Sequence, residues 1–441
     1  MKHRTLITNR LTLAGLVLCS TVRADMVTDW NATLVEAATA NDTTDLPPVA
    51  ARKAAIVQVA VFDAVNGIAR KYEPYFVTER APRGALQEAA AAQAAYITLV
   101  ALYPGQKTMF DAQLASSLAS LPGHEGNSQP ITSGLAWGED VANAILALRS
   151  QDHSSDTTWP PFFGGTGPGV WRSLPTATAA DGTLPAVLPQ WPHVEPFAMT
   201  SQDQFRPGPP PALTSAQYAA DVNEIKAIGR VDSTTRTADQ TQVALLWAAP
   251  DFNLFRIAPQ VLPRDADLVD NARLFALLGI EQCDSLIAIF DAKYTYNFWR
   301  PYHAIRLADT DGNPLTDPDP TWTSLVFPPR HQEYPSAHAI FTGGFMRVLE
   351  RLLGDRHTFT LSVPSITTFS WTFDRFSDAA AQVKKARMWA GIHYRNSVNV
   401  GGAMGVDLGD YIVENFLRPL HDHDGRGEDR DCDDGHGEGH R

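Results

Sequence analysis

The sequence predicts an all-α fold of packed helical bundles, joined by long Pro/Gly-rich loops. Helix-period apolar spacing recurs along most of the chain, and convincing period-two strand patterns are absent. With 441 residues, 44% of them hydrophobic and 19% charged, the chain can also bury a sizeable core.

The elements follow in order. Residues 51–70 carry Ile56, Val57, Val59, Val61, Val65 and Ile68, apolar nearly all round, which predicts a buried helix. Residues 85–103 are alanine-rich and strongly helix-forming, and 131–150 form another helical run. A Pro/Gly-rich stretch at 152–211 has no periodicity but holds Trp159, Phe162, Phe163, Trp171 and Trp191. So many aromatics predict a loop packed onto the surface, not a free linker. Helical spacing returns at 215–228 and 238–248. It is clearest at 267–290, where Leu268, Ala272, Phe275, Gly279, Cys283, Leu286 and Phe290 fall at three- and four-residue steps. Runs at 337–353, 378–390 and 400–417 complete the set.

Both ends read differently. Lys2, Arg4 and Arg10 accompany a short apolar run at 11–22, and Val22 and Ala24 flank a cleavage-like site. This predicts an export signal removed near Ala24, too short to span a bilayer, and a periplasmic or secreted protein. Residues 421–441 are almost wholly Asp, Glu, Gly, His and Arg. They predict a disordered, solubilising tail; a loosely held metal is the alternative. The expected organisation is a signal at 1–24, a helical domain at 25–420 and the tail at 421–441. The domain divides into N-terminal helices and loop at 25–235 and a C-terminal bundle at 236–420. Beyond the signal, Cys283 and Cys432 are far apart and predict no disulfide framework. A net charge of −13 argues against nucleic acid and anionic membranes as main partners.

Three islands carry chemistry. The first runs from Lys293 to Arg300-Pro301. On a continuous helix two turns would put both cations on one face, with an anion needed between them, and Pro301 would end or redirect the segment. A solvated face is the other reading. The second is Glu333-Tyr334-Pro335-Ser336-Ala337-His338, ahead of a helical run. Ser336 would sit at a helix N-terminus, where free N–H groups favour an anion, or would simply cap the helix. His338 could exchange protons. The third contains Arg387 and His393, an oxyanion fork and a nitrogen nucleophile or ligand. On an ideal helix they lie about 120° apart, so they could meet one anion only from different sides or across a helix end.

In order and spacing these islands resemble the pattern Lys-x6-Arg-Pro, Pro-Ser-Gly-His, Ser-Arg-x5-His-x3-Asp of the vanadium-dependent haloperoxidase and phosphatidic acid phosphatase type 2 (acid phosphatase) superfamily. The resemblance covers about residues 267–417, and Phe62-Asp63-Ala64-Val65-Asn66-Gly67 resembles the N-terminal part of bacterial members. It implies a vanadium chloroperoxidase-like helical fold with vanadate as cofactor. Lys293, Arg300 and Arg387 would bind the equatorial oxygens, and Ser336 and the N–H of Ala337 would add donors. His338 would be the acid–base histidine. His393 would be the metal ligand, or the phosphorylated nucleophile of a phosphatase. The implied reaction is oxidation of halide by hydrogen peroxide to hypohalous acid, with a small organic acceptor and no membrane span; a homodimer is left open. An acid phosphatase and a non-catalytic oxyanion binder are the alternatives. Ala337 replaces the family glycine, Ser397 the aspartate that orients the histidine, and Ala386 the serine before the arginine. His331, seven residues before His338, resembles the bromoperoxidase choice and so implies bromide or iodide over chloride; a solvent-facing loop histidine is the alternative.

Overall fold

The computed structural model describes residues 25–41, 45–123 and 128–420. The expected signal peptide, the acidic tail and Cys432 lie outside them. The described α-helices are α1 (Met26–Ala40), α2 (Pro47–Ala69), α3 (Gln87–Leu102), α4 (Lys107–Ala119), α5 (Gln129–Leu148), α6 (Ala216–Ile228), α7 (Ala238–Leu246), α8 (Ala258–Val261), α9 (Leu268–Tyr296), α10 (Pro301–Arg306), α11 (Ala337–Leu353), α12 (Phe376–Trp389) and α13 (Arg395–Asn415). The all-α expectation holds, with one departure. Strands β1 (Phe359–Val363) and β2 (Ile366–Phe373) form an antiparallel hairpin. Its Thr, Val, Ile, Phe and Trp residues favour a pleated surface, and the pair is too short to stand out against the helices.

Helices α2, α3 and α5 pack together, and α9, α11, α12 and α13 form a second group; α2 lies against α9 and joins them. The largest buried apolar cluster runs from Met26 to Leu417 and so crosses both halves. The aromatic loop at 152–211 is packed only in part as expected: Trp171 and Trp191 are fully buried, whereas Trp159 and Phe163 are exposed. No helix among the described residues is long and apolar enough to cross a membrane.

Two buried carboxylates pin loops to the long helices. Asp63 of α2 accepts the N–H groups of Tyr75, Phe76 and Val77 at 2.7, 2.8 and 2.9 Å. Asp284 of α9 accepts those of Phe197, Ala198 and Met199 at 2.7, 2.7 and 2.9 Å. Each satisfies three backbone donors that would otherwise be stranded inside. Cys283 is fully buried and reduced, and burial pushes its thiol well above the ordinary range.

Candidate active site

Helix α9 does not carry both cations of the first island. It ends at Tyr296, and Asn297 takes a left-handed conformation (φ 48°) that asparagine tolerates better than most residues. Lys293 is therefore in the last turn of α9, whereas Arg300 stands in extended conformation ahead of α10, with Pro301 at that helix's first turn. The third island also breaks. Helix α12 stops at Trp389, and Gly391 reverses the chain at φ 78°; a Cβ there would collide with the Gly229 carbonyl. Arg387 and His393 thus meet across a helix end.

The three islands converge. Lys293 and Arg300 have no exposed surface, Arg387 has 4% and His393 has 1%. One Arg300 terminal nitrogen lies 3.2 Å from His393 Nε2 and donates to the Ile392 carbonyl at 2.9 Å. The other lies 3.1 Å from His331 Nδ1, and Nε donates to the His331 carbonyl at 3.0 Å. His331 is therefore half-buried against Arg300. Arg387 donates to the Trp247 carbonyl at 3.2 Å, while its buried Nε has no partner.

Lys293 is placed differently from a simple anion ligand. Its ammonium donates to the carbonyls of Gln332, Glu333 and Pro335 at 2.8, 2.8 and 2.6 Å. Three donors meet three acceptors, so Lys293 braces the segment before α11 and brings positive charge.

Ser336 is the N-cap residue of α11, yet its side chain makes no capping bond, and its buried hydroxyl is unpartnered. Ala337 opens the helix, where backbone N–H groups have no partner within it. Ala337 is not among the positive-φ residues, so replacing glycine carries no backbone penalty here. Close behind, Gly401 and Gly405 of α13 leave no room for a Cβ beside the carbonyls of Ser336 and Ile340. His338 is partly exposed, its ring 4.9 Å from that of Phe341 and 6.2 Å from that of Phe252.

Charge is out of balance. Three buried cations face one buried carboxylate, Glu333. Burial lowers Arg300 to about 10 and, reinforced by Arg300, lowers Arg387 to about 9. Burial and the neighbouring Arg300 and Arg387 push Lys293 well down, against the pull of Glu333. His393 and His338 are held well below the ordinary range, first by burial and then by the cations. Both are neutral at physiological pH.

The sequence alone does not mark Glu333 as a site residue. Its Oε1 lies 2.7 Å from His393 Nδ1 and accepts the Tyr394 N–H at 3.1 Å. Ser397 Oγ is 3.4 Å from the same Nδ1. Burial raises Glu333 to about 7, opposed by Lys293, Arg300, Ser397 and Tyr394. The only sequence signal is a carboxylate directly before Tyr334-Pro335-Ser336.

A cavity of about 350 Å³ opens onto this cluster. Arg387 and His338 line it, together with Leu34, Val35, Ala51, Ala54, Phe252 and Phe341. Its walls are mainly apolar, with Asp45, Asp251, Asn253 and Gln282 as further polar lining groups.

The fold, this cavity and the three-cation cluster define a helical protein with a buried cationic pocket. Residues 273–422 match the model of the VCPO second helical-bundle domain, and this stretch is similar to the vanadium haloperoxidases. Vanadium chloroperoxidase from Curvularia inaequalis is 29% identical over 192 residues, which is 36% of this chain and 31% of that protein. The matched region is thus under a third of the curated relative's length. A bacterial vanadium-dependent iodoperoxidase has the same fold, with a TM-score of 0.75 at 24% identity, covering 91% of this chain and 99% of that one. Holo-type bacterial vanadium-dependent chloroperoxidase gives a TM-score of 0.68 at 17% identity, covering 85% and 93%.

Proposed function

We propose that the protein is a vanadate-dependent haloperoxidase that oxidises halide with hydrogen peroxide to hypohalous acid, favouring iodide and bromide. The observation that carries this reading is the uncompensated positive charge around Ser336 and His393. Three buried cationic side chains against one buried carboxylate suit a multiply charged tetrahedral oxyanion. The unpartnered Ser336 hydroxyl and Arg387 Nε, with the α11 N-terminus, supply donors of the right kind. Vanadate fits this set; when bound it supplies a Lewis-acidic centre that activates peroxide.

The chain's own residues do the rest. His393, with Nδ1 on Glu333, turns Nε2 towards the cations as the ligand nitrogen. Arg300, Arg387, the Ser336 hydroxyl and the Ala337 N–H hold the oxygens, and Lys293 contributes charge and fixes the segment before α11. His338, neutral and partly open to the cavity, takes a proton from peroxide and returns it to the leaving oxygen. The apolar cavity walls suit a small organic acceptor near the point where oxidised halogen is released.

Halide choice rests on His331. Burial, Lys293 and Arg300 hold it well below its ordinary range, so it is neutral; in the tautomer protonated on Nε2 its Nδ1, which also lies 3.1 Å from the Gln332 carbonyl, accepts from Arg300. That diverts one Arg300 donor from the oxyanion and weakens activation of peroxide, which chloride, the hardest common halide to oxidise, needs most. His331→Phe should raise chloride turnover relative to bromide several-fold, roughly the effect of one charged hydrogen bond. An unchanged ratio removes His331 from halide selection.

Acid phosphatase activity in the same pocket is the second reading, and one observation favours it. The Ser397 substitution would handicap a phosphohistidine, but Glu333 already supports His393. Stripping vanadate from the purified protein and restoring it separates the readings. Vanadate-dependent halogenation of a phenol dye supports the first. Phosphate release inhibited by vanadate supports the second. Tight oxyanion binding with neither activity leaves a non-catalytic binder. Export, with cleavage near Ala24, belongs to the same proposal, and N-terminal sequencing of protein recovered outside the cytoplasm checks it.

A further inference from the structure

We propose that Glu333 is the positioning carboxylate of His393, replacing from a different segment the aspartate whose place Ser397 occupies. The inference rests on the reading of His393 as the residue that engages the oxyanion. In the family pattern the carboxylate follows the histidine by four residues, one helical turn away. Here that position holds a hydroxyl 3.4 Å from Nδ1, at the limit of a useful hydrogen bond and without charge. Glu333 reaches the same nitrogen at 2.7 Å from the segment ahead of α11.

The placement is built, not incidental. Glu333 is fully buried. Its backbone N–H donates to the Phe298 carbonyl at 2.9 Å, and its carbonyl accepts from Lys293 at 2.8 Å. Its Oε1 also accepts the Tyr394 N–H, which fixes it against the residue next to His393. A backbone tied on both sides and a carboxylate with two donors leave the side chain little freedom.

The chemical consequence is a choice of tautomer. An ionised carboxylate only accepts, so in the ionised pair the proton sits on Nδ1. The lone pair is then on Nε2, which faces Arg300 at 3.2 Å and the cationic pocket. Positioning an imidazole by a carboxylate on its far nitrogen also raises its basicity as a ligand or nucleophile. Carboxylate support has thus moved from α13 to the segment that also carries Ser336 and His338. One stretch, 333–338, then supplies the orienting carboxylate, an oxyanion donor and the proton-exchanging histidine.

The test uses full-length protein with 15N-labelled histidine, together with Glu333→Ala, Glu333→Gln, Ser397→Asp and the Glu333→Ala/Ser397→Asp double variant. In the wild type, NMR should show His393 protonated on Nδ1 and bare on Nε2. A proton on Nε2 overturns the proposal without any variant. Orthovanadate affinity, measured by calorimetry, should fall about 10–100-fold in Glu333→Ala. The double variant should recover most of that loss by returning the carboxylate to the family position, while Ser397→Asp alone should add little. Glu333→Gln keeps the shape and removes the charge, so it should fall between wild type and alanine if the single-alanine protein does not fold. Wild-type vanadate affinity in a folded Glu333→Ala, or no recovery in a folded double variant, refutes the role. If the wild type neither binds vanadate nor halogenates, the functional reading fails, and the tautomer measurement still decides this one.

Discussion

Helices α2 and α9 lie side by side and carry the same tripeptide near their C-terminal ends, Phe62-Asp63-Ala64 and Phe290-Asp291-Ala292. Both stop at a left-handed residue other than glycine, Arg70 (φ 56°) and Asn297 (φ 48°). Their buried polar groups are treated differently. In α2, Asp63 closes on three loop amides, and Val65, two residues on, is apolar and fully buried. In α9, Asp291 pairs with Arg206 through two contacts of 2.6 Å, and the residue two positions on is the buried cation Lys293. One helix is electrically closed; the other ends where positive charge exceeds negative. Burying unmatched charge is costly, so a fold that does so has a use for it.

Variants at the open end should cost activity, and variants at the closed end should cost stability. The largest effect is expected at His393. His393→Ala should lower vanadate-dependent halide oxidation by more than about 100-fold, beyond the loss from removing a ligand's supporting group, with an unchanged circular dichroism spectrum. Retained turnover would show that the charge imbalance does not mark the working site. The counterpart is Asp63→Ala, which leaves three loop amides without their acceptor. Unfolding in denaturant should show a loss of about 3 kcal/mol, with turnover per folded molecule preserved. A folded Asp63→Ala enzyme that loses activity would break the division between the two helices.

A subtler test lies within α9. Glu281 is fully buried beside Ser285 and Gln282, and burial raises it to about 8 from an ordinary 4.5. The folded protein therefore holds this proton more tightly than the unfolded chain. The associated stability is present below pH 4.5 and is lost as pH rises towards 8. Wild-type Tm should fall more steeply between pH 5 and 8 than that of Glu281→Gln; parallel curves would remove Glu281 from the pH response. The smallest effect is expected from deleting residues 421–441, whose composition supports no packed core. Tm and activity should stay close to wild type, and a clear drop in either would give the tail a role.

Much of this was legible in the sequence because it is local. Helical spacing located α2, α3, α5, α6, α7, α11 and α12 to within a few residues and α9 except for its last turns, and the three islands hold the cations Lys293, Arg300 and Arg387 that act on His393. Helices α1 and α4 lacked that signal: α1 mixes Thr28, Asp29, Asn31 and Thr33 into its first turns, and α4 carries polar residues around Phe110. The expectation of Lys293 and Arg300 on one helical face failed at a single residue, Asn297, whose left-handed turn no periodicity shows. Glu333 was illegible for another reason. Its partner lies 60 residues away, and a buried carboxylate reads like a surface one until the chain is folded.

The tripod made by Lys293 has a thermodynamic consequence. Its three bonds fix the carbonyls of Gln332, Glu333 and Pro335, immediately ahead of the Ser336 hydroxyl and the first amides of α11. The conformational entropy of that stretch is lost when the protein folds, not when an anion arrives. A ligand therefore meets donors already aimed, and its association rate should be set by diffusion through the cavity mouth, without a slow ordering phase.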